Sequence, residues 1–127
     1  MIQFNLDEMK SIKEIMDKDN NDPTNAYLDY MDTTYVLRGE NSELYMRSSY
    51  QDSLIIARIE VCHKHIGVAT KLFEELFKYT QFKGFKKIMV ESVMTPEMHE
   101  FCIKNNFKEI KSTRYDICCN YEKEIAQ

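Results

Sequence analysis

The chain has 127 residues, 43% hydrophobic and 30% charged, with a formal net charge of −4. That length suits one domain over residues 1–127 and is too short for two ordinary ones, and the acidic balance argues against a nucleic-acid partner. No apolar run approaches the ~18 residues of a membrane span, and the opening MIQFNLDEMK carries early acids and no apolar signal core, so a cytoplasmic protein with no membrane partner is expected. Cys62, Cys102, Cys118 and Cys119 form no CxxC pair, so neither a zinc site nor a disulfide framework is expected and no metal is assigned.

In chain order, Ile2 to Phe4 reads as a short first strand. Asn5 is placed to cap a helix starting near Leu6, whose apolar stripe is Leu6, Met9, Ile12, Ile15 and Met16. The segment DKDNNDPTN, residues 17–25, ends that helix. Ala26 to Met31 reads either as a short second helix or as a loop in which Tyr27, Leu28 and Tyr30 line a pocket or join the core. Asp29 and Asp32 there could either hold an ammonium group or simply solvate a loop.

Thr33 to Arg38, Leu44 to Ser49 and Leu54 to Val61 read as three strands of an antiparallel meander, with Gly39 to Ser42 as the first turn. The unbroken apolar start of the third, Leu54 to Ala57, predicts a central strand covered on both faces. A helix from about Gly67 to Phe82 then places Leu72, Phe73, Leu76 and Phe77 on one face, and Gly84 stops it. Lys87 to Val93 is a further strand. Thr95 as cap, Pro96 in the first turn and Glu97 behind it predict a helix from Pro96 to Asn105. One or two final strands fall between Phe107 and Tyr121, and the tail EKEIAQ reads as frayed.

This order predicts an α+β domain. The strand–helix–strand unit from Leu54 to Val93 implies a parallel pair joined by a right-handed crossover, and the meander before it makes the sheet mixed. The unit also has a chemical consequence. A buried strand that enters a helix through a turn containing Gly67 leaves backbone N–H groups unpaired at the helix start. The helix dipole adds positive potential there, so the place suits a phosphate.

The stretch Ile59-Glu60-Val61-Cys62-His63-Lys64-His65-Ile66-Gly67-Val68-Ala69 resembles the motif V-x-P-x-x-(Q/R)-x-x-G-x-(G/A) of the GNAT acetyltransferase superfamily. Ile59 stands at the valine, Val61 at the proline, Lys64 at the Gln/Arg, Gly67 at the first glycine and Ala69 at the last small residue. Thr95, Met98, Phe101, Cys102, Asn106 and Phe107 fall on the family's later pattern N-x-x-A-x-x-F-Y-x-x-x-G-F. The resemblance is close over residues 53–110 and holds only in element order before that.

The resemblance implies a GNAT-like mixed β-sheet with a central, splayed parallel strand pair flanked by helices. It implies acetyl-CoA as co-substrate and an amine as acceptor, and it allows a homodimer through edge strands. Backbone groups of Ile59 and Val61 would carry the pantetheine arm in the manner of an added strand. Lys64, His65, Ile66, Gly67, Val68, Ala69 and Thr70 would surround the pyrophosphate, with Gly67 allowing close approach. Glu91, or else Glu60, is the candidate base; either is equally a surface carboxylate. Cys102 stands where the family's acid is a tyrosine, and is open between proton donor and packed core residue. His63 and His65 read as positioning or solvent-facing groups, and His99 as a surface residue. Two functions follow: an N-acetyltransferase acting by direct transfer, or a coenzyme A-binding regulatory or interaction module with little or no catalysis.

Overall fold

A computed structural model describes residues 1–63, 67–93, 95–110 and 119–125. Asn5 caps the first turn as expected, its Oδ1 accepting from the Asp7 N–H at 2.9 Å. That turn, Leu6–Met9, is a 3-10 turn that leads into helix α1, Lys10–Asn20. Met9, Ile12 and Met16 are buried while Leu6 is exposed, so the apolar stripe starts one turn later than the sequence spacing predicts. The helix also continues further into the polar segment than expected, because Asp19 and Asn20 both find protein partners in place of solvent. Asn21, at φ 64, then ends it.

Two expectations for the N-terminal third are corrected. Ile2 to Phe4 is not a strand. Phe4 donates one backbone bond, to Asp32 O at 2.7 Å, and is held instead by its buried ring, which meets Tyr35, Tyr79 and Phe85. The segment read as a short helix or loop is strand β1, Asn25–Asp29. Its neighbour β2, Thr34–Arg38, pairs antiparallel along all five of its residues, and that ladder outweighs the weak local helix preference. Between them Tyr30, Met31 and Asp32 all adopt left-handed φ values of 51, 56 and 64. Asp29 Oδ1 takes the Tyr30 N–H, and the Thr33 N–H and hydroxyl both bond Tyr30 O.

The meander continues as expected through β3, Glu43–Ser48, to β4, Ser53–Glu60. Leu54, Ile55 and Ile56 of the expected apolar run are buried, with Ser53 before them, while Ala57, the last of that run, is half-buried. Helix α2, Val68–Lys83, crosses to β5, Lys87–Val93, which lies parallel to β4. At the C-terminus of α2, Gly84 sits at φ 86. There the Phe85 N–H reaches Thr80 O and the Gly84 N–H reaches Gln81 O, the paired bonds that close a glycine-terminated helix. Helix α3, Pro96–Lys104, has the expected cap, Thr95 Oγ1 accepting from the Met98 N–H. It closes in the same way on Asn106, at φ 67, with Phe107 N bonded to Cys102 O.

Strands β6, Lys108–Ile110, and β7, Cys119–Glu124, complete a seven-stranded sheet of order β1-β2-β3-β4-β5-β7-β6. The tail is not frayed where it was expected to be: Glu122, Lys123 and Glu124 are ladder residues of β7, paired to β5. β7 lies between β5 and β6, with Asn120, Tyr121 and Glu122 paired to β6. Cys118 lies outside the described residues.

One core joins Leu37, Leu44, Met46, Leu54, Ile56, Ile88, Val90 and Tyr121 of the sheet to Met9, Ile12 and Met16 of the N-terminal helical segment, Leu72, Phe73 and Leu76 of α2, and Cys102 of α3. No helix among the described residues is long and apolar enough to cross a membrane. The turn after β2 is packed against α1. A Cβ on Gly39 would lie 2.5–2.6 Å from the side-chain atoms of Asn20, whose Oδ1 accepts from the Asn41 N–H at 2.8 Å. Gly39→Ala is therefore expected to cost ~1–3 kcal/mol of stability through overpacking, measured by urea denaturation. An unchanged midpoint would mean that Asn20 moves aside without loss.

Candidate functional site

The site arises where the parallel ladder stops. β4 and β5 pair from Ser53↔Lys87 to Ile56↔Val90, yet β4 runs on to Glu60 and β5 to Val93. Both strands carry an irregularity just past that point. On β4, Tyr45 and Met46 of β3 oppose Arg58 and Ile56, leaving Ala57 as the extra residue. On β5, the register against β7 shifts between Val90 and Val93. An extra residue bends a strand and increases its twist, so two irregularities on neighbouring strands turn their ends apart. The backbone of β4 beyond Ile56 stays paired to β3 on one side and has no β5 partner on the other.

The separated ends open a cleft of about 700 Å³. Its walls are Ala57 to Val61 on one side and Val90, Glu91 and Val93 on the other. The start of α2, from Gly67 to Thr70, closes one end, and Thr95, Glu97, Met98 and Phe101 of the α3 region close another. Gly67 caps α2 at φ 82, and no described side chain caps that end. No described atom lies within 4 Å of where a Gly67 Cβ would stand. The first turn of α2 thus borders an open, concave space with no described side chain capping it, and such a helix start suits an oxyanion.

The structure brings most of the residues singled out in the sequence to this one cleft. Ile59, Glu60, Val61, Gly67, Val68, Ala69, Thr70 and Glu91 all line it. Lys64, His65 and Ile66 lie outside the described residues. Cys102 is on α3 but is not on the wall: it is fully buried in the core, and burial pushes its thiol up to about 12. The helix face that carries Met98 and Phe101 to the cleft turns the following residue inward, against the sheet.

Several participants had no local sequence signal. Arg47 of β3 spans β4 to reach Glu91, with Nη1 donating to Oε2 at 3.2 Å and Nη2 pairing with Oε1. This pair fixes the Glu91 carboxylate on the cleft wall, with the Glu91 side chain 28% exposed. Alternation along β3 puts Arg47 on the face opposite Met46, but only the sheet order tells which strand it faces. Glu97 stands on the wall with Glu60 and Glu91, and Arg58 is there among the described residues as well. His99 is exposed on α3 as expected, yet its ring is hydrogen-bonded to the buried Tyr121 hydroxyl of β7. Asp29 and Asp32 are not on the cleft wall.

No protein-family model matches the chain, and no curated protein sequence matches it. Its architecture does match solved structures. One is an acetyltransferase of the GNAT family from Staphylococcus aureus MU50, at 12% identity and TM-score 0.55, with 98% of each chain covered. Another is the PaiA N-acetyltransferase from Thermoplasma acidophilum, solved in complex with coenzyme A. It aligns at 14% identity and TM-score 0.58 over 72% of this chain and 59% of that one. A third is an acetyltransferase from Thermus thermophilus, at 12% identity and TM-score 0.57 over 72% and 62% of the two chains. The chain therefore has the GNAT fold, an α+β domain with a mixed sheet splayed at its central parallel pair.

Proposed function

We propose that the chain is an acetyl-CoA-dependent N-acetyltransferase that transfers an acetyl group directly to a primary amine. The observation that carries this reading is the junction of two features in one cleft: the unpaired inner edge of β4 beyond Ile56, and the uncapped start of α2 at Gly67. The first suits an extended amide-bearing arm, which can bond the β4 backbone as a further strand would. The second suits a pyrophosphate. Coenzyme A carries both groups at matching ends. The fold likeness to a structure that holds coenzyme A supports the same reading.

In the transfer, the amine nitrogen attacks the thioester carbonyl, a C–N bond forms and the C–S bond breaks. The amine must be neutral to attack, so a base takes its proton. Glu91 is the favoured residue, held in place by Arg47, with water or Glu60 as the other acceptors of that proton. Arg47 compensates the charge of Glu91 and Arg58 stands on the same wall, so Glu60 and Glu97 are the carboxylates placed to draw an acceptor that arrives as a cation. The departing thiolate takes its proton from solvent. Cys102 is a poor donor because it is buried off the cleft wall, and that burial also raises its pKa.

Cys102→Ala is accordingly expected to keep turnover within about twofold of wild type and to lower stability by ~1 kcal/mol through the small cavity it leaves. A tenfold drop in turnover in the folded variant would instead make the thiol the donor. The second reading, a coenzyme A-binding module with weak or no catalysis, is favoured by one observation: among the described residues, no tyrosine is on the cleft wall. Two measurements decide. Calorimetric titration with acetyl-CoA is expected to show stoichiometric binding, and its absence overturns both readings. Release of free thiol with a panel of amines is expected to exceed the rate without amine. Binding without any amine-dependent release selects the module.

A further inference from the structure

Asp19 is a buried carboxylate with a demanding set of partners. It lies in the last turn of α1, and its side chain is 0% exposed. Oδ2 accepts from Ser42 Oγ at 2.7 Å and from the Cys62 N–H at 2.6 Å. Oδ1 accepts from the His63 N–H at 2.8 Å and faces His63 Nδ1 at 3.1 Å. One carboxylate thus gathers the turn between β2 and β3 and the connection between β4 and α2. Burial alone would raise the pKa of Asp19. The Ser42 hydroxyl and the two amides outweigh it and hold the group below the ordinary value of 3.8, ionised.

The two amides are consecutive. Fixing both on one carboxylate sets the peptide planes directly after Val61 of the cleft wall. His63 itself lines the cleft. Asn20, the next residue of α1, braces the same corner through Asn41 and Asp22. A phosphate site needs its amides held in place before the ligand arrives.

We infer that Asp19 is a positioning residue for the donor site: by holding the Cys62 and His63 amides it fixes the backbone at the end of β4, where Val61 and His63 line the cleft that takes coenzyme A. This rests on the donor-site reading given above. It gives α1, remote in sequence from the site, a direct part in affinity for the phosphate-bearing substrate.

The test is titration of coenzyme A into the full chain as wild type, Asp19→Asn, Asp19→Ala and Ile12→Val, each assayed below its melting temperature by circular dichroism. Ile12→Val, a core change in the same helix, controls for lost stability. The Asp19 variants are expected to weaken binding at least tenfold and Ile12→Val less than twofold. Where turnover is measurable, KM for acetyl-CoA rises in the Asp19 variants while kcat holds, a split that general loosening of the fold does not produce. If Asp19→Asn and Asp19→Ala do not fold, Asp19→Glu, which keeps the charge and moves it by one methylene, is held to the same tenfold criterion. Folded Asp19 variants that bind like wild type overturn the inference and leave the donor site intact. A wild type that does not bind coenzyme A overturns the donor-site reading itself, and this inference with it.

Discussion

Gly67→Glu is expected to abolish measurable coenzyme A binding in a chain that still folds. Two costs combine. Gly67 stands at φ 82, a conformation that costs an L side chain ~1–2 kcal/mol. The space beside it is open to the cleft rather than filled by described protein atoms, so the new carboxylate has room to exist and lies where a phosphate would sit. Like charges at that distance repel strongly in a partly enclosed site. A loss of at least ~100-fold in affinity, about 2.7 kcal/mol, is expected. Gly67→Ala carries the backbone cost without the charge, so it should fall between Gly67→Glu and wild type. Titration calorimetry on all three, with thermal melts beside it, checks the order. A folded Gly67→Glu that binds normally would remove the pyrophosphate from this turn.

Phe73→Ala carries the second large effect, on stability. Phe73 is 1% exposed at the centre of an aromatic cluster. Its ring lies 4.8 Å from that of Phe101, 6.0 Å from Phe77 and 6.1 Å from Phe107. It therefore joins α2 to α3 and to the segment entering β6. Removing it leaves a cavity that rings on separate elements cannot all close, so a loss of ~3–5 kcal/mol is expected. Against a total of ~5–15 kcal/mol for a domain this size, that is a large fraction. Urea denaturation checks it, and a loss below ~1 kcal/mol would mean the cluster repacks freely. Since Phe101 also lines the cleft, a folded Phe73→Ala should bind coenzyme A more weakly as well.

How much of this was legible beforehand follows from how local each signal is. The caps at Asn5, Gly84 and Thr95 were readable because each is a contact between near neighbours in the chain. The buried start of β4 was readable because an unbroken apolar run has few other uses. β1 was misread because a short segment with mixed preferences takes its conformation from β2, its ladder partner. Cys102 could be placed on a helix but not on a side of it, since motif alignment counts positions and does not measure where the sheet lies.

The stretch from Leu54 to Phe73 thus held, by itself, the fold's central unit: a covered strand, a glycine-containing turn and a helix start suited to an anion. Those are consequences of backbone geometry and short-range pattern, so the sequence alone determined them. Tertiary structure decided the rest. The splay depends on where the β4–β5 ladder ends, a property of two strands separated by a whole helix. Arg47 meets Glu91 only because β3, β4 and β5 lie side by side. Asp19, which reads in sequence as one more acid in a helix-ending run, becomes the acceptor for the Cys62 amide 43 residues away. A buried charge is stable only where several donors converge on it, and that convergence exists only once the chain has folded.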